Sequence, residues 1–135
     1  MKRTISLILT LCLLVSLLPT GVVFAASSGE WDGFIWSLDD AGVLLIEGTG
    51  PMPTFSGTSS RPWDSLTAQI TAVEITDGVT TISNQAFMNC GALREVVIPE
   101  GVTIIGTSAF NGCESLTQVT LPASLEKLSY LTFSN

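Results

Sequence analysis

The sequence contains no histidine at any of its 135 positions. Histidine is the base of Ser-His-Asp and Cys-His nucleophilic sites and a common metal ligand, so sites of these kinds are excluded. A phosphate-binding glycine loop is also missing, because Gly48 and Gly50 are followed by Pro51 without a third glycine. We therefore expect no catalytic site, no cofactor and no metal site.

Basic residues are scarce, and two of the five stand at the very start of the chain, at Lys2 and Arg3. An uncharged apolar run follows over residues 5–18, a proline ends it, and small residues begin at Ala25. This order is typical of a secretory signal peptide, which we assign to residues 1–25. A retained membrane anchor is disfavoured, because a spanning helix needs roughly 20 apolar residues.

Cleavage of the signal peptide makes the chain more acidic. Removing Lys2 and Arg3 from the five basic residues leaves three, against all twelve acidic residues, which gives a net charge of −9. Nucleic acids and anionic membranes both attract lysine and arginine. The acidic charge therefore predicts that the protein binds no nucleic acid and inserts into no membrane after cleavage. The signal peptide predicts that it is secreted or located at the cell surface.

A repeat of 23 residues occupies the second half of the chain. Residues 73–95 and 96–118 align without a gap and are identical at ten of 23 positions. A third copy begins at Val119 and stops after 17 residues. Such self-similarity predicts a solenoid, in which each coil buries its apolar face against its neighbours.

Within each copy the pattern predicts a strand, a turn, a second short strand and a helical turn. Val96 and Ile98 alternate as in a half-buried strand, and Pro99 ends it. The apolar residues from Ala109 to Leu116 have near-helical spacing. Equivalent residues one repeat apart should stack about 4.8 Å apart in parallel ladders. The predicted aromatic column is Phe87, Phe110 and Phe133, and the aliphatic column is Ile82, Ile105 and Leu128.

The pattern VxIPxGVTxIGxxAFxxCxSL at residues 96–116 resembles the BspA-like leucine-rich repeat of bacterial surface proteins. The resemblance covers residues 70–135, and the preceding segments 36–53 and 61–63 resemble the leader that often comes before such repeats. It implies a leucine-rich-repeat-like solenoid at residues 70–135. It also implies an adhesin-like module that binds an extracellular or host protein.

The segment before the repeats predicts a β-hairpin. Two β-rich runs, 34–38 and 43–47, flank Asp39, Asp40, Ala41 and Gly42. Aspartate and glycine favour turns. We interpret Asp39 and Asp40 as turn formers rather than as a glycosidase pair or a calcium site, since neither a cleft nor a spaced run of oxygen ligands accompanies them.

Residues 26–69 are predicted to form a β-rich N-terminal cap, because the first coil of a solenoid has an open apolar end. Trp36 and Trp63 are the expected plugs. The alternative is a carbohydrate-binding platform made of Trp31, Trp36 and Trp63. A third interpretation is a structural cap and spacer within a larger multidomain surface protein.

The predicted binding surface is the outward side of the strands. Its central row consists of residues that alternate with inward ones, namely Glu74, Val97 and Thr120. The residues expected to flank this row are Arg94, Glu95 and Gln118.

Two features of the stack remain open. Cys90 and Cys113 lie one repeat apart, so they should be neighbours, and buried free thiols are favoured over a disulfide because in-register side chains point the same way. The third copy stops at Asn135, before its cysteine position. We expect either a longer repeat array or self-association through this C-terminal end.

Overall fold

The computed structural model describes residues 25–55 and 60–135. The predicted signal peptide, apart from Ala25, lies outside this range. No helix within the range is both long and apolar enough to cross a membrane.

The described chain is built mainly from short strands in two sheets. The first sheet has six strands in the order β1-β2-β3-β5-β7-β9: β1 Ala25–Trp31, β2 Phe34–Asp39, β3 Val43–Glu47, β5 Ala72–Ile75, β7 Glu95–Val97 and β9 Gln118–Thr120. The second sheet has four in the order β10-β8-β6-β4: β4 Gly50–Pro51, β6 Val79–Ile82, β8 Ile104–Ile105 and β10 Lys127–Leu128. Each 23-residue repeat thus contributes to both sheets.

The strands of successive repeats pair in parallel with an offset of one repeat. In the first sheet Val73 lies opposite Val96, and Val96 lies opposite Val119. In the second sheet Ile82 lies opposite Ile105, which in turn lies opposite Leu128. The parallel ladders predicted from the period are confirmed.

The aromatic column stacks from coil to coil through the turn segments of the repeats. Phe87 and Phe110 are fully buried, and their ring centroids are 5.2 Å apart. Phe133 stacks on Phe110 at 5.3 Å but remains 37% exposed. At the other end Trp63 extends the column, stacking on Phe87 at 5.9 Å. The predicted column is confirmed, and a tryptophan from the preceding segment is its fourth member.

The prediction of helical turns inside the repeats is wrong. The segments 84–89 and 107–112 are runs of hydrogen-bonded turns. Alternate backbone N–H groups donate to the next coil, as Phe110 N does to Thr132 O at 2.8 Å. The intervening groups close turns, as Asn111 N does onto Ser108 O at 3.2 Å. Because half of the donors are used between coils, the continuous i to i−4 bonding of an α-helix cannot form.

The hairpin of β2 and β3 is confirmed, and its turn is held as predicted. Asp39 Oδ1 accepts hydrogen bonds of 2.9 Å from the backbone N–H groups of Ala41 and Val43. Gly42 has a φ of +84°, and a Cβ at this position would lie 2.4 Å from the carbonyl oxygen of Gln69. Glycine is therefore required here both by conformation and by close approach.

The segment before the repeats is continuous with both sheets. β1 pairs antiparallel with β2, a strand that the sequence pattern did not predict. β3 pairs in parallel with β5, and β4 pairs in parallel with β6, so this segment supplies the neighbour of each first repeat strand.

A buried arginine joins this segment to the first repeat. Arg61 is 5% exposed, forms an ion pair with Asp64, and donates to the carbonyl oxygens of Gln85 at 3.0 Å and Met88 at 2.7 Å. Asp64 begins the 3₁₀ helix Asp64–Gln69. These bonds satisfy carbonyl groups that face the start of the stack.

Substitution Phe110→Ala tests the register of the column. We expect it to lower the free energy of unfolding by about 3–5 kcal/mol, because a fully buried ring is lost between two stacked neighbours. Urea denaturation followed by circular dichroism measures this loss. Phe133→Ala is the matched control and should cost less, since Phe133 is partly exposed and stacks on one ring. Near-unchanged stability of Phe110→Ala would contradict the register.

Candidate functional site

The outward side of the six-stranded sheet brings most of the predicted binding residues together. Glu74, Val97 and Thr120 lie side by side on β5, β7 and β9, and all three are exposed. Glu95 and Gln118 are opposite each other in a second exposed row, two residues earlier along the strands. Residues at equivalent positions of successive repeats form these rows because paired parallel strands place them side by side on the same face.

Arg94 lies at the margin of this surface. It immediately precedes β7 and is exposed, and its carbonyl oxygen accepts a 3.0 Å hydrogen bond from Thr117 N. Its backbone therefore belongs to the ladder between neighbouring coils.

An open groove of about 520 Å³ runs over this face along β5 and β7. Three predicted residues line it, Glu74, Glu95 and Val97, whereas Arg94, Gln118 and Thr120 do not. The remaining lining residues are Ala72, Val73, Ile75, Asp77 and Pro99. We call the surface formed by these eight residues the strand groove.

Asp77 and Pro99 were missed as site residues. Each lies two residues after the last residue of a strand, beyond the alternating positions from which the outward row was inferred. A search extended past the strand ends to the Thr76–Gly78 turn would have included Asp77.

The outward row of the sheet also extends into the segment before the repeats, where its members are half-buried. Leu45 on β3 lies opposite Glu74, and Ser37 on β2 lies opposite Leu45. The sequence pattern did not indicate that β3 continues the row, because β3 and β5 are not related by the 23-residue period. Their offset is 29 residues, since Val43 lies opposite Ala72.

The strand groove is acidic and its charges are not compensated within the described structure. Glu74, Asp77 and Glu95 line it, and all three are exposed. Across residues 25–55 and 60–135, none of these carboxylates forms an ion pair.

The two cysteines of the repeats are buried and free. Burial, with a smaller contribution from the neighbouring Cys113, raises the pKa of the Cys90 thiol to about 12. Burial likewise raises the pKa of the Cys113 thiol to about 11. The Cys113 thiol donates a 3.2 Å hydrogen bond to the carbonyl oxygen of Phe87. Neutral thiols are poor nucleophiles and poor metal ligands, so their role here is packing.

The tryptophans do not form an exposed platform. Trp63 is fully buried and its Nε1 donates to the carbonyl oxygen of Ala86 at 3.0 Å. Trp36 is buried against it, with ring centroids 6.2 Å apart, and Trp31 stacks on Phe55 at 4.7 Å. The alternative of a carbohydrate platform made of all three rings is therefore wrong, because two of the rings are unavailable to a sugar.

In the parts of the chain that the structure covers, no three side chains of histidine, cysteine, aspartate or glutamate are grouped as a metal site would require. Asp39 is engaged in the hairpin turn through its Oδ1 atom.

The chain matches a protein-family model. The model of the BspA type leucine-rich repeat region, in six copies, matches residues 65–135. It confirms the resemblance seen in residues 96–116. Among curated proteins, none matches the chain.

Solved structures of bacterial leucine-rich repeat proteins are similar to the chain. One from Eubacterium ventriosum is 29% identical with a TM-score of 0.66, over 76% of this chain and 27% of that protein. A leucine-rich cell surface protein from Faecalibacterium prausnitzii is 23% identical, with a TM-score of 0.41 over 73% of this chain and 33% of that one. A leucine-rich repeat protein from T. pallidum is 26% identical, with a TM-score of 0.39 over 73% of this chain and 41% of that one. The chain thus spans about a quarter of the length of the Eubacterium protein.

The raised thiol pKa values predict a loss of stability at alkaline pH. Above pH 9, where an ordinary thiol ionises, the unfolded chain releases protons that the folded chain retains. The unfolded state then binds fewer protons, so the free energy of unfolding falls as the pH rises from 9 through 11 and 12. Denaturation of residues 26–135 at several pH values, followed by circular dichroism, measures this slope.

The control is the double variant Cys90→Ala with Cys113→Ala, which should show a shallower decline over the same pH range. A thiol reagent at pH 8 should modify the native protein far more slowly than the denatured one. If the pH dependence of the free energy of unfolding is unchanged in the variant, the thiols do not cause the decline. Fast modification of the native protein would show that the thiols are accessible.

Proposed function

The chain belongs to the BspA type leucine-rich repeat family. On that premise we propose that it is an adhesin-like module that binds another extracellular protein and has no catalytic site. The module is secreted or held at the cell surface. The Faecalibacterium relative is described as a cell surface protein, which supports this location. The residues that we propose for binding are Glu74, Arg94, Glu95, Val97, Gln118 and Thr120.

The observation that supports this proposal most is the uncovered face of the parallel strands. Parallel sheets normally have both faces covered, because their crossover connections pack on them. Here the outward face of β5 and β7 is open, and Val97 at its centre is 50% exposed. An apolar side chain held in a rigid, ordered groove is suited to contact with a protein surface.

Residues 70–135 are proposed to act as a solenoid and residues 26–69 as its N-terminal cap. The parallel ladders of both sheets and the stacking of Trp63 on Phe87 support this division. A cap-and-spacer role in a larger surface protein is the second candidate. The two differ in whether the strand groove itself binds a partner.

An adhesion assay separates these candidates. Beads carrying residues 26–135 are applied to a surface coated with extracellular-matrix protein extract and to one coated with albumin. We expect retention on the matrix surface only. The variant Val97→Lys with Thr120→Lys should reduce it at least about fivefold, because the loss of a central interface residue typically costs more than 1 kcal/mol.

The matched control is Thr80→Lys with Thr107→Lys, which adds the same charge at exposed positions outside the strand groove. Its retention should equal that of the wild type, and circular dichroism should show all three proteins folded. Equal retention of both variants would move the site elsewhere. Absence of retention for the wild type would favour the spacer role.

We also propose that a polypeptide of residues 26–135 self-associates through its last repeat. β9 and β10 are the outermost strands of their sheets, so each has an unpaired edge. The exposed large apolar residues nearby are Leu121, Leu128, Tyr130, Leu131 and Phe133. Light scattering should show dimers or larger species at micromolar concentration. Leu128→Lys should shift them to monomer, whereas Thr80→Lys should not; a wild-type monomer at all concentrations would contradict this.

A further inference from the structure

We propose that the strand groove selects a basic, extended segment of the partner protein. This inference rests on the proposed function of the same face as a protein-binding surface, and it specifies the chemistry of the segment that fits.

No basic side chain of the described residues pairs with the carboxylates of the groove. Glu74, Asp77 and Glu95 are exposed on it and form no ion pair within residues 25–55 and 60–135. Of the three basic residues after position 25, Arg61 is buried beside Asp64 and Lys127 lies in β10 of the other sheet. Arg94 alone lies near the groove, at its margin. A partner with lysine or arginine therefore complements this surface.

The spacing of the carboxylates fits an extended segment. Glu95 lies opposite Ala72, so it stands two residues before the level of Glu74, which is roughly 7 Å at about 3.3 Å per residue. In an extended peptide, side chains on one face recur at the same two-residue interval. Asp77 lies in the turn after β5 and adds a third carboxylate at that end of the groove. An extended segment with basic residues at alternate positions therefore matches Glu74 and Glu95.

The centre of the groove is apolar. Val97 lies opposite Glu74 and is half exposed, and Pro99 lines the groove beyond the end of β7. One apolar residue among the basic ones would cover Val97.

The segment binds through its side chains and not as an added strand. β5 and β7 each already pair with a neighbour on both sides, so their backbone groups are used in the sheet. Recognition by strand addition requires an unpaired edge, which the groove does not offer.

The probe is a synthetic hexapeptide that alternates lysine with threonine and contains one valine. The comparison peptide has glutamate in place of each lysine. Each peptide is titrated into a ¹⁵N-labelled polypeptide of residues 26–135, and its amide chemical shifts are recorded. This polypeptide contains all of the described residues except Ala25. The lysine peptide should shift the amides of residues 72–77 and 95–98, and the glutamate peptide should not.

Raising the salt from about 0.05 to about 0.5 M should weaken binding, since exposed charges are then screened. The variant Glu74→Gln with Glu95→Gln should weaken binding of the lysine peptide about tenfold, because two exposed ion pairs are lost. The control Glu114→Gln with Glu126→Gln removes the same charge from exposed positions outside the groove and should bind as the wild type does.

The outcomes separate this inference from the proposed function. Equal shifts of the groove by both peptides, or equal losses in both variants, would overturn charge selection and leave the strand groove as a binding face. If the lysine peptide causes no amide chemical-shift changes in the strand groove, the inference is also overturned. The adhesion assay with the Val97→Lys and Thr120→Lys variant tests independently whether this face binds a protein.

Discussion

The in-register contact between one coil and the next is the interaction on which the rest of the structure depends. Backbone N–H groups of one repeat donate to carbonyl groups of its neighbour both in the strands and in the turn segments, as Phe87 N does to Ala109 O. The same register aligns the rings of Phe87, Phe110 and Phe133. Hydrogen bonds and apolar packing thus specify one offset, and any slip would lose both together.

This contact also requires that the first repeat have a partner. β3 and β4 supply it in the two sheets, and Trp63 supplies it in the aromatic column. Arg61 joins the two parts through the carbonyl oxygens of Gln85 and Met88. The hairpin is therefore part of the same cooperative core, and the outward row of the first sheet continues onto β3 at the half-buried Leu45.

The binding face follows from the buried face. Because Val73 and Val96 point inward, Glu74 and Val97 are exposed next to each other at a spacing that the ladder fixes. The exposed residues contribute little to the core, so their identity is free to serve recognition. In this chain they combine uncompensated carboxylates with an exposed valine, which is the combination from which we infer a basic extended partner.

Period, alternation and turn chemistry are local patterns, so they were enough to predict the repeat, the inward and outward residues, the aromatic column and the turn at Asp39. The pairing of β3 with β5, the strand β1 and the turn conformation of segment 107–112 became evident in the folded chain. The hairpin pairing has no repeat offset, and the turns arise because alternate N–H groups bond to the next coil. The burial of Trp36 and Arg61 and the inclusion of Asp77 in the groove likewise depend on contacts between segments distant in sequence.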